Sequence, residues 1–419
     1  MKASRREFLK IGGITIAATG VVPTLLSSCS SESSQTQFTN MLEGVEPLND
    51  ADYQIRLDKL VASLLDYKMD AIFIEGSSNL RYFFNMSWHL SERTFGAIVN
   101  TKGAPVWICP AFELERAKEQ LPQSHTIRTW EEHESPHRLF ADIIRELGSS
   151  AFRVGIGPSV RSFIAEGFRR ELPSSLVDGS MPVNMVRAIK TEKELGYMEV
   201  ANIITKRAYK YAFDNLEEGM APGDIGGMIR NAHSEMGTGG SGGPLIGFTS
   251  AFPHGTRQTK NLADGDIILV DGGCSVEGFR SDVTRTIVFG SATDKQKRVF
   301  DAVLKAQQAA HNAVRPGVKC GEIDNVARKV IEDAGFGPEY KFFAHRLGHG
   351  IGMDGHEFPY LVRGNDLELK PGMTFSNEPG IYIYGEFGVR IEDCFVVTDN
   401  GARMLGGMLT TAIDDPFGG

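Results

Sequence analysis

The 419-residue chain is poor in cysteine: it has five, and none forms a C-x-x-C pair. Cys109, Cys274, Cys320 and Cys394, the four that follow the first thirty residues, are scattered too widely for a disulfide framework. The chain also lacks an uninterrupted apolar run of the ~20 residues that a membrane-spanning helix needs. Its uncharged, largely apolar stretch at residues 11–26 is shorter and is broken by Gly12, Gly13, Gly20 and Pro23. There is no basic surplus either. Lys plus Arg number 44 against 53 Asp plus Glu, for a net charge of −9. That argues against nucleic acid or an anionic membrane surface as the main partner, since both select a basic face. What remains is ordinary globular material, 41% apolar and 23% charged, which excludes disorder for the bulk of the chain. The length predicts two or three domains, with a core large enough to stand without disulfides. The 47 glycines predict many tight turns near functional backbone.

The first thirty residues read as an address. Ser4-Arg5-Arg6-Glu7-Phe8-Leu9-Lys10 is a charged n-region, the apolar stretch follows, and Leu26-Ser27-Ser28-Cys29 closes it. This is the layout of an export signal rather than of a fold element. The arginine pair before Phe8-Leu9-Lys10 resembles a bacterial twin-arginine signal. The four residues ending at Cys29 resemble a lipoprotein cleavage box, which makes Cys29 the lipidated first residue of the mature protein. The expectation is a cell-envelope lipoprotein of a bacterium, on the periplasmic side or the cell surface. Its only membrane contact would be the lipid on Cys29. Twin-arginine export carries folded proteins, so a metal can be loaded before the protein leaves the cytoplasm. Residues 30–50 begin with a polar Ser-rich run and are read as a flexible tether.

Two domains follow. Residues 51–180 alternate short apolar strands (71–74, 104–108) with helical stretches (53–67, 112–120, 139–147), the pattern of an α/β domain with no chemical cluster. Residues 181–411 open with the capping box Thr191-Glu192-Lys193-Glu194, which predicts a long helix to about Leu216. A second box, Thr293-Asp294-Lys295-Gln296, predicts another helix to about Val314. Gly219-Met220-Ala221-Pro222-Gly223-Asp224-Ile225 aligns with Gly317-Val318-Lys319-Cys320-Gly321-Glu322-Ile323 at an offset that also matches Met228 to Val326 and Gly237 to Gly335. This predicts an internal repeat. Residues 412–419 are a C-terminal tail.

The acids repeat as well. Asp266–Gly273 reads as a buried strand ending in Asp271, and residues 279–289 as its partner carrying Asp282. A hairpin centred between Val276 and Glu277 would set Asp271 opposite Asp282, ~5 Å apart. Residues 373–378 form a strand ending in Glu378, and residues 388–397 its partner, with Arg390 and Glu392 on one face. Four carboxylates brought to one partly buried point call for about two divalent cations. His345-Arg346-Leu347-Gly348-His349-Gly350-Ile351-Gly352, followed by His356-Glu357, supplies an imidazole. Its glycines oppose a helix and favour a loop in which backbone approaches a metal. It is not H-E-x-x-H, since Gly350 stands where Glu is required.

With these residues in order, the chain resembles the pita-bread-fold metallopeptidases, within them the Xaa-Pro aminopeptidase and Xaa-Pro dipeptidase (prolidase) branch. The resemblance covers about residues 50–411. It implies an α/β creatinase-like N-terminal domain and an α+β pita-bread catalytic domain with an internal pseudo-twofold repeat. It also implies five metal ligands: Asp271, Asp282, His349, Glu378 and Glu392. Asp271 would chelate one ion, His349 and Glu378 the other, and Asp282 and Glu392 would bridge them. A hydroxide held between the two ions would attack the carbonyl before proline. Glu378 would take up the water's proton, and His254 or His356 would donate to the carbonyl oxygen as it becomes charged. His345 joins the catalytic group, and Arg390 would orient Glu392 or Glu378. The oxygen-rich set favours Mn²⁺, with Co²⁺, Fe²⁺ or Zn²⁺ as other occupants. The implied partners are proline-containing peptides and a second copy of the chain in a homodimer. Two other readings compete. One is a hydrolase of a non-peptide amide or a cyclic amidine such as ectoine; the other is a non-catalytic surface binding protein.

Overall fold

The computed structural model describes residues 38–148 and 152–418. The arginine pair, the cleavage box with Cys29 and the first part of the tether lie outside the described residues.

The N-terminal domain begins with α1 (Asp50–Asp66), started by Asn49, whose side chain accepts the Ala51 and Asp52 N–H groups. Asp52 returns the bond to the Asn49 N–H at 2.9 Å, so the helix start is satisfied at both ends of the box. The strands are β1 (Ala71–Glu75), β2 (Gly96–Asn100), β3 (Val106–Pro110), β4 (Thr126–Trp130), β5 (Val154–Ile156) and β6 (Leu176–Asp178). They form one sheet in the order β4-β3-β2-β1-β5-β6. Helices α2 (Ser78–Phe84), α3 (Leu114–Gln120), α4 (Pro136–Leu147), α5 (Ser162–Glu171) and α6 (Ser180–Ala188) connect the strands or follow them. The alternation along β1 divides its burial. Phe73 meets Phe140 and Phe168 in a core of its own, the latter two rings stacked at 3.7 Å. Ile72 and Ile74 face the other way, into a core shared with the catalytic domain.

The catalytic domain is built twice. Its first half has α7 (Glu192–Asp214), α8 (Pro222–Glu235), β7 (Gly243–Ile246), β8 (Ile267–Gly272), the short pair β9 (Ser275–Val276) and β10 (Phe279–Arg280), and β11 (Val283–Val288). The second half has α9 (Asp294–Ala313), α10 (Cys320–Asp333), β12 (Gly348–Gly350), β13 (Glu357–Leu361), β14 (Thr374–Asn377), β15 (Gly380–Ile383), β16 (Phe387–Arg390), β17 (Asp393–Val397) and β18 (Ala402–Met404). Sheet order is β11-β8-β7 in the first half and β13-β12-β14-β17-β18 in the second. The expected repeat is present: α8 and α10 start and end 98 residues apart. Glycines at matching positions adopt the same left-handed backbone, Gly219 at φ 89° with Gly317 at 85°, and Gly237 at 98° with Gly335 at 88°. Even the anchoring bonds match. Gly219 N–H donates to Leu262 O at 2.8 Å and Gly317 N–H to Leu369 O at 2.9 Å.

The two domains meet through buried charge. Glu194, which also closes the Thr191 capping box, forms an ion pair with Arg56 of α1 at 2.7 Å. Helix α6 precedes the seam, and the chain joins the catalytic sheet where Lys190 N–H donates to Gly372 O at 2.9 Å.

Two expectations are corrected. The tether does not extend to residue 50. Phe38, Met41, Leu42, Val45 and Leu48 are packed against the core, and Met41 N–H donates to Met236 O at 3.0 Å. An apolar residue every three or four positions gives this segment area to bury, which a free linker does not have. Residues 388–397 are also not one strand. β16 ends at Arg390 and pairs with β15, whereas β17 starts at Asp393 and pairs with β14. Between them Glu392 leaves its own sheet, and its N–H donates to Thr284 O of the first half at 3.1 Å. Cys109, Cys274, Cys320 and Cys394 are buried free thiols.

Candidate active site

Each half delivers its acids from strand ends. β8 and β11 are antiparallel, with Asp271 opposite Thr284. The hairpin is centred one residue later than expected, because its two loop residues are Glu277 and Gly278, at φ 49° and 85°. Two left-handed residues in sequence are what a tight two-residue hairpin requires. The pairing partner of Asp271 is therefore Thr284, not Asp282. Asp282 lies two residues earlier on the same face, so both acids still enter one cavity.

In the second half the expected glycine-rich loop includes the short strand β12, which carries His349 between β13 and β14. The glycines permit this close approach. A Cβ at Gly348 would fall 2.1 Å from Ser376 O, and one at Gly350 would fall 2.6 Å from Phe358 O. Glu378 follows β14, held by its N–H to Leu347 O at 2.9 Å. Ser376 links the two groups: its Oγ accepts the His349 N–H at 3.0 Å and donates to Glu378 Oε1 at 3.1 Å.

The result is a cavity of about 350 Å³ whose wall contains Asp271, Asp282, His349, Glu378 and Glu392 together. Ligand atoms of Asp271, Asp282 and Glu392 all lie within 4.8 Å of one another, as do those of His349, Glu378 and Glu392. His349 Nε2 is 3.2 Å from Glu378 and 3.7 Å from Asp282. Its Nδ1 lies 3.1 Å from Gly350 O, so the proton on that nitrogen is used and Nε2 faces the acids. Charge crowding shows in the titration of the acids. Burial and then the Asp271 carboxylate push Asp282 up to about 8. Burial and the Asp282 and Glu378 charges push Glu392 well above the carboxylate range. Glu378 goes the other way: burial raises it, but the His349 hydrogen bond and the His345, His349 and Arg390 charges outweigh that and hold it at about 2. His349 rises for the reciprocal reason, its burial outweighed by Glu378 and Asp282. An oxygen-rich donor set with one imidazole, and more negative charge than its neighbours balance, fits divalent cations.

The other expected residues are distributed around this cluster. Arg390 is buried and pairs with Asp271 at 2.8 Å, not with Glu392 or Glu378. Its Nε donates to Thr284 Oγ1 at 3.0 Å, and its Nη1 to Pro253 O and Tyr382 Oη, each at 3.0 Å. Thr284 Oγ1 also sits 2.9 Å from Asp271 and 2.7 Å from Glu392, so one hydroxyl spaces two acids from different halves. Tyr382 Oη is 2.8 Å from His345 Nε2, and His345 Nδ1 is 2.8 Å from Arg346 O. Both His345 nitrogens are thereby engaged, and burial lowers the pKa of the ring. His254 and His356 are exposed at the cavity wall, and the His356 ring is stacked on His349 with centroids 3.8 Å apart. Thr284, Ser376, Tyr382 and Arg346 had not been singled out. The first three carry hydroxyls, whose placement only the folded register reveals; Arg346 is the one with a sequence signal, since it sits inside the His345–His349 motif.

A creatinase-type N-terminal domain joined to a duplicated catalytic domain, with two acids from each half and one histidine around a single cavity, defines a pita-bread metallopeptidase. Residues 196–399 match the model of metallopeptidase family M24, and residues 56–189 that of the creatinase/prolidase N-terminal domain. The chain belongs to family M24. It is 35% identical over 356 residues to a Xaa-Pro dipeptidase of Lactobacillus helveticus, covering 83% of this chain and 96% of the relative. Among solved structures it is similar to dipeptidase PepE of Mycobacterium ulcerans, with TM-score 0.79 and 30% identity over 86% of this chain and 96% of that one. A prolidase of Thermococcus sibiricus gives TM-score 0.75 and 28% identity over 87% and 98%.

Proposed function

We propose that this protein is a metal-dependent Xaa-Pro dipeptidase. The observation that carries the reading is the convergence of Asp271, Asp282, His349, Glu378 and Glu392 on one cavity. The relatives named Xaa-Pro dipeptidase support it over the amidine-hydrolase and binding-protein alternatives. Asp271, Asp282, His349, Glu378 and Glu392 are the residues that would hold the cations. When bound, the two cations supply the positive charge that makes hydroxide available near neutral pH and polarises a carbonyl.

The remaining chemistry belongs to the chain. Glu378, held ionised, accepts the proton of the attacking water and returns it to the proline nitrogen as the peptide bond breaks. His356 receives a hydrogen bond from Arg346 on Nδ1, which leaves its Nε2–H free to donate to the substrate's carbonyl oxygen. His254 lines the same cavity with no partner of its own among the described residues and serves as a second donor. Arg390 fixes Asp271 and, through Tyr382, the His345 ring.

Hydrolysis of Gly-Pro, Ala-Pro-Pro and a proline-free dipeptide tests this, with Mn²⁺-loaded protein lacking residues 1–29 beside His349→Ala. Cleavage of Gly-Pro in preference to the others, lost in the variant, is the expected result. Metal-loaded protein that cleaves neither proline substrate overturns it. Mn²⁺ as the native ion, a homodimer, and an exported lipoprotein anchored at Cys29 complete the proposal. The oxygen-rich ligands support the first and the leader motif supports the last. Membrane fractionation of wild type against Cys29→Ser checks the anchor.

A further inference from the structure

We infer that Arg187, a side chain of the N-terminal domain, is a positioning residue that holds His356 over the catalytic cavity. The inference rests on the donor role of His356 proposed above. His356 closes the loop 351–356 between β12 and β13, with Asp354 two residues before it and Glu357 directly after it. Among the described residues the exposed His356 ring has two partners, the stacked His349 ring and the Arg346 guanidinium. Neither of them fixes the backbone that carries the ring.

The two flanking acids do, because both end on one guanidinium. Arg187 Nη2 donates to Asp354 Oδ2 at 2.9 Å and to Glu357 Oε1 at 2.5 Å. Nη1 turns the other way and donates to Ser78 Oγ at 2.9 Å and Asn79 Oδ1 at 2.6 Å, both on α2. One arm of the fork therefore grips the catalytic domain and the other grips the N-terminal domain. Ser78 closes the ring by donating to Asp354 Oδ2 at 2.6 Å, and the Asp354 N–H donates to Glu357 Oε1 at 2.9 Å. Lys190 Nζ lies 3.4 Å from Glu357 Oε2, so two cations meet two acids. Arg187, Lys190 and Glu357 are buried. A buried polar network whose members are satisfied rigidifies what it holds.

The loop is shaped for this grip. Glu357 can turn into the domain seam because residue 352 is glycine: a Cβ there would fall 2.9 Å from both Glu357 carboxylate oxygens and from Lys190 Cε. With Glu357 turned into the seam, His356 faces the metal-ligand cavity, where its ring stacks on His349. Arg187, Asp354 and Glu357 line a neighbouring cavity of about 250 Å³, and His356 borders both cavities. The clamp thus reaches the chemistry through the histidine it flanks. Lysine in place of Arg187 would keep the charge and lose the fork that serves both domains at once.

The test is a double-mutant cycle on Mn²⁺-loaded protein: wild type, Arg187→Lys, His356→Ala and the double variant, each measured for kcat and KM on Gly-Pro and for bound metal. Arg187→Lys is expected to lower kcat about 10- to 100-fold, with KM changed less than about 3-fold and bound Mn²⁺ unchanged. In the His356→Ala background the same substitution should cost little more, because the ring it positions is gone. Hydrogen exchange gives a readout that needs no turnover: amides of 352–357 should exchange faster in Arg187→Lys, and those of β14 should not. Asn79→Ala, which removes an acceptor on the N-terminal side and keeps both ion pairs, should show the same pattern more weakly, and it carries the test if Arg187→Lys does not fold. Three results overturn the proposal: wild-type kcat in Arg187→Lys, losses that multiply in the double variant, or unchanged exchange over 352–357. A His356→Ala variant with wild-type kcat overturns the donor role of His356 and the proposal with it. A slow His356→Ala beside a normal Arg187→Lys overturns the proposal alone. If wild type cleaves no proline substrate, the dipeptidase reading falls, and the exchange measurement still decides whether Arg187 holds the loop.

Discussion

Glu392 and Asp393 are neighbours in the chain, yet they face opposite electrostatic environments. Glu392 enters the cavity among three other carboxylates, and burial with their charge raises its pKa. Asp393 points behind the cavity, where Lys206 lies 2.7 Å away and Arg285 2.8 Å, both buried. Burial would raise Asp393 too, but the two cations outweigh it and lower its pKa. Among the described residues Glu392 has no ion-pair partner, and Asp393 has two. The first region is therefore organised to bind, at the expense of stability. The second is organised to hold its strand. Arg285 also donates to Glu392 O at 2.8 Å, and Gln307 donates to Asp393 at 3.2 Å and to Ile391 O at 3.3 Å, so the rear cluster fixes the backbone that presents Glu392.

Breaking the rear cluster should have the largest effect. Asp393→Ala strands Lys206 and Arg285 without a counter-charge, which costs about 3–5 kcal/mol for a buried pair. Chemical denaturation should show it as a lower midpoint. Glu392→Gln, one residue away, should leave that midpoint within about 1 kcal/mol and lower Gly-Pro turnover at least ~100-fold, with reduced bound metal by elemental analysis. If the two variants exchange phenotypes, the division of labour is wrong. Thr284→Val removes the hydroxyl between Asp271 and Glu392. Turnover should fall about 10-fold, with the metal bound more weakly in titration. Tyr382→Phe should cost least, a few-fold in turnover, since it breaks the bonds to Arg390 and His345 but removes no proposed ligand.

The two regions should also respond to pH with opposite sign. Asp393 is lower in the folded protein than unfolded. The unfolded state therefore binds more protons at acid pH, and the stabilisation is present above about pH 4 and is lost as pH falls through the folded value. Asp282 is raised to about 8 in metal-free protein. There the folded state binds the extra proton between about pH 4 and 8, so its contribution weakens as pH rises through that window. Chelator-treated protein should lose stability from pH 5 to 8, and Asp282→Asn should flatten that slope. Adding Mn²⁺ should reverse the loss, because cation binding displaces the proton. A metal-free protein with a pH-independent midpoint across that window would refute the assignment.

Much of this was legible in the sequence because acids at strand ends and a matched pair of Gly-turn-helix segments are local patterns. Asp271 and Glu378 could be placed from strand endings alone, and Gly219 with Gly317 from their repeat. The register was not legible, since it depends on which two residues accept a left-handed backbone, and Glu277 gives no signal that it will. The break between Arg390 and Asp393 was hidden because residues 388–397 have continuous β character. What divides them is the competing partner Thr284 from the other half, a contact across more than 100 positions. Residues 38–48 were misread because the polar run before them set the expectation, while Phe38, Met41, Leu42, Val45 and Leu48 already held the pattern of a packed segment.

The contact between Glu392 and Thr284 has a consequence for the timing of assembly. Neither half contains a complete centre, and the second supplies Glu392 only near the end of the chain. The rear cluster waits longer still: Arg285 donates to Met408 O, and Lys206 to Leu405 O and Gly407 O. During synthesis, Asp271 and Asp282 emerge first as an ordinary hairpin with no reason to capture a cation firmly. The centre comes into being only when both halves have been made and have closed on each other. A tightly held ion would then report that the two halves have met, and chains lacking the second half would be left empty-handed in competition for scarce metal.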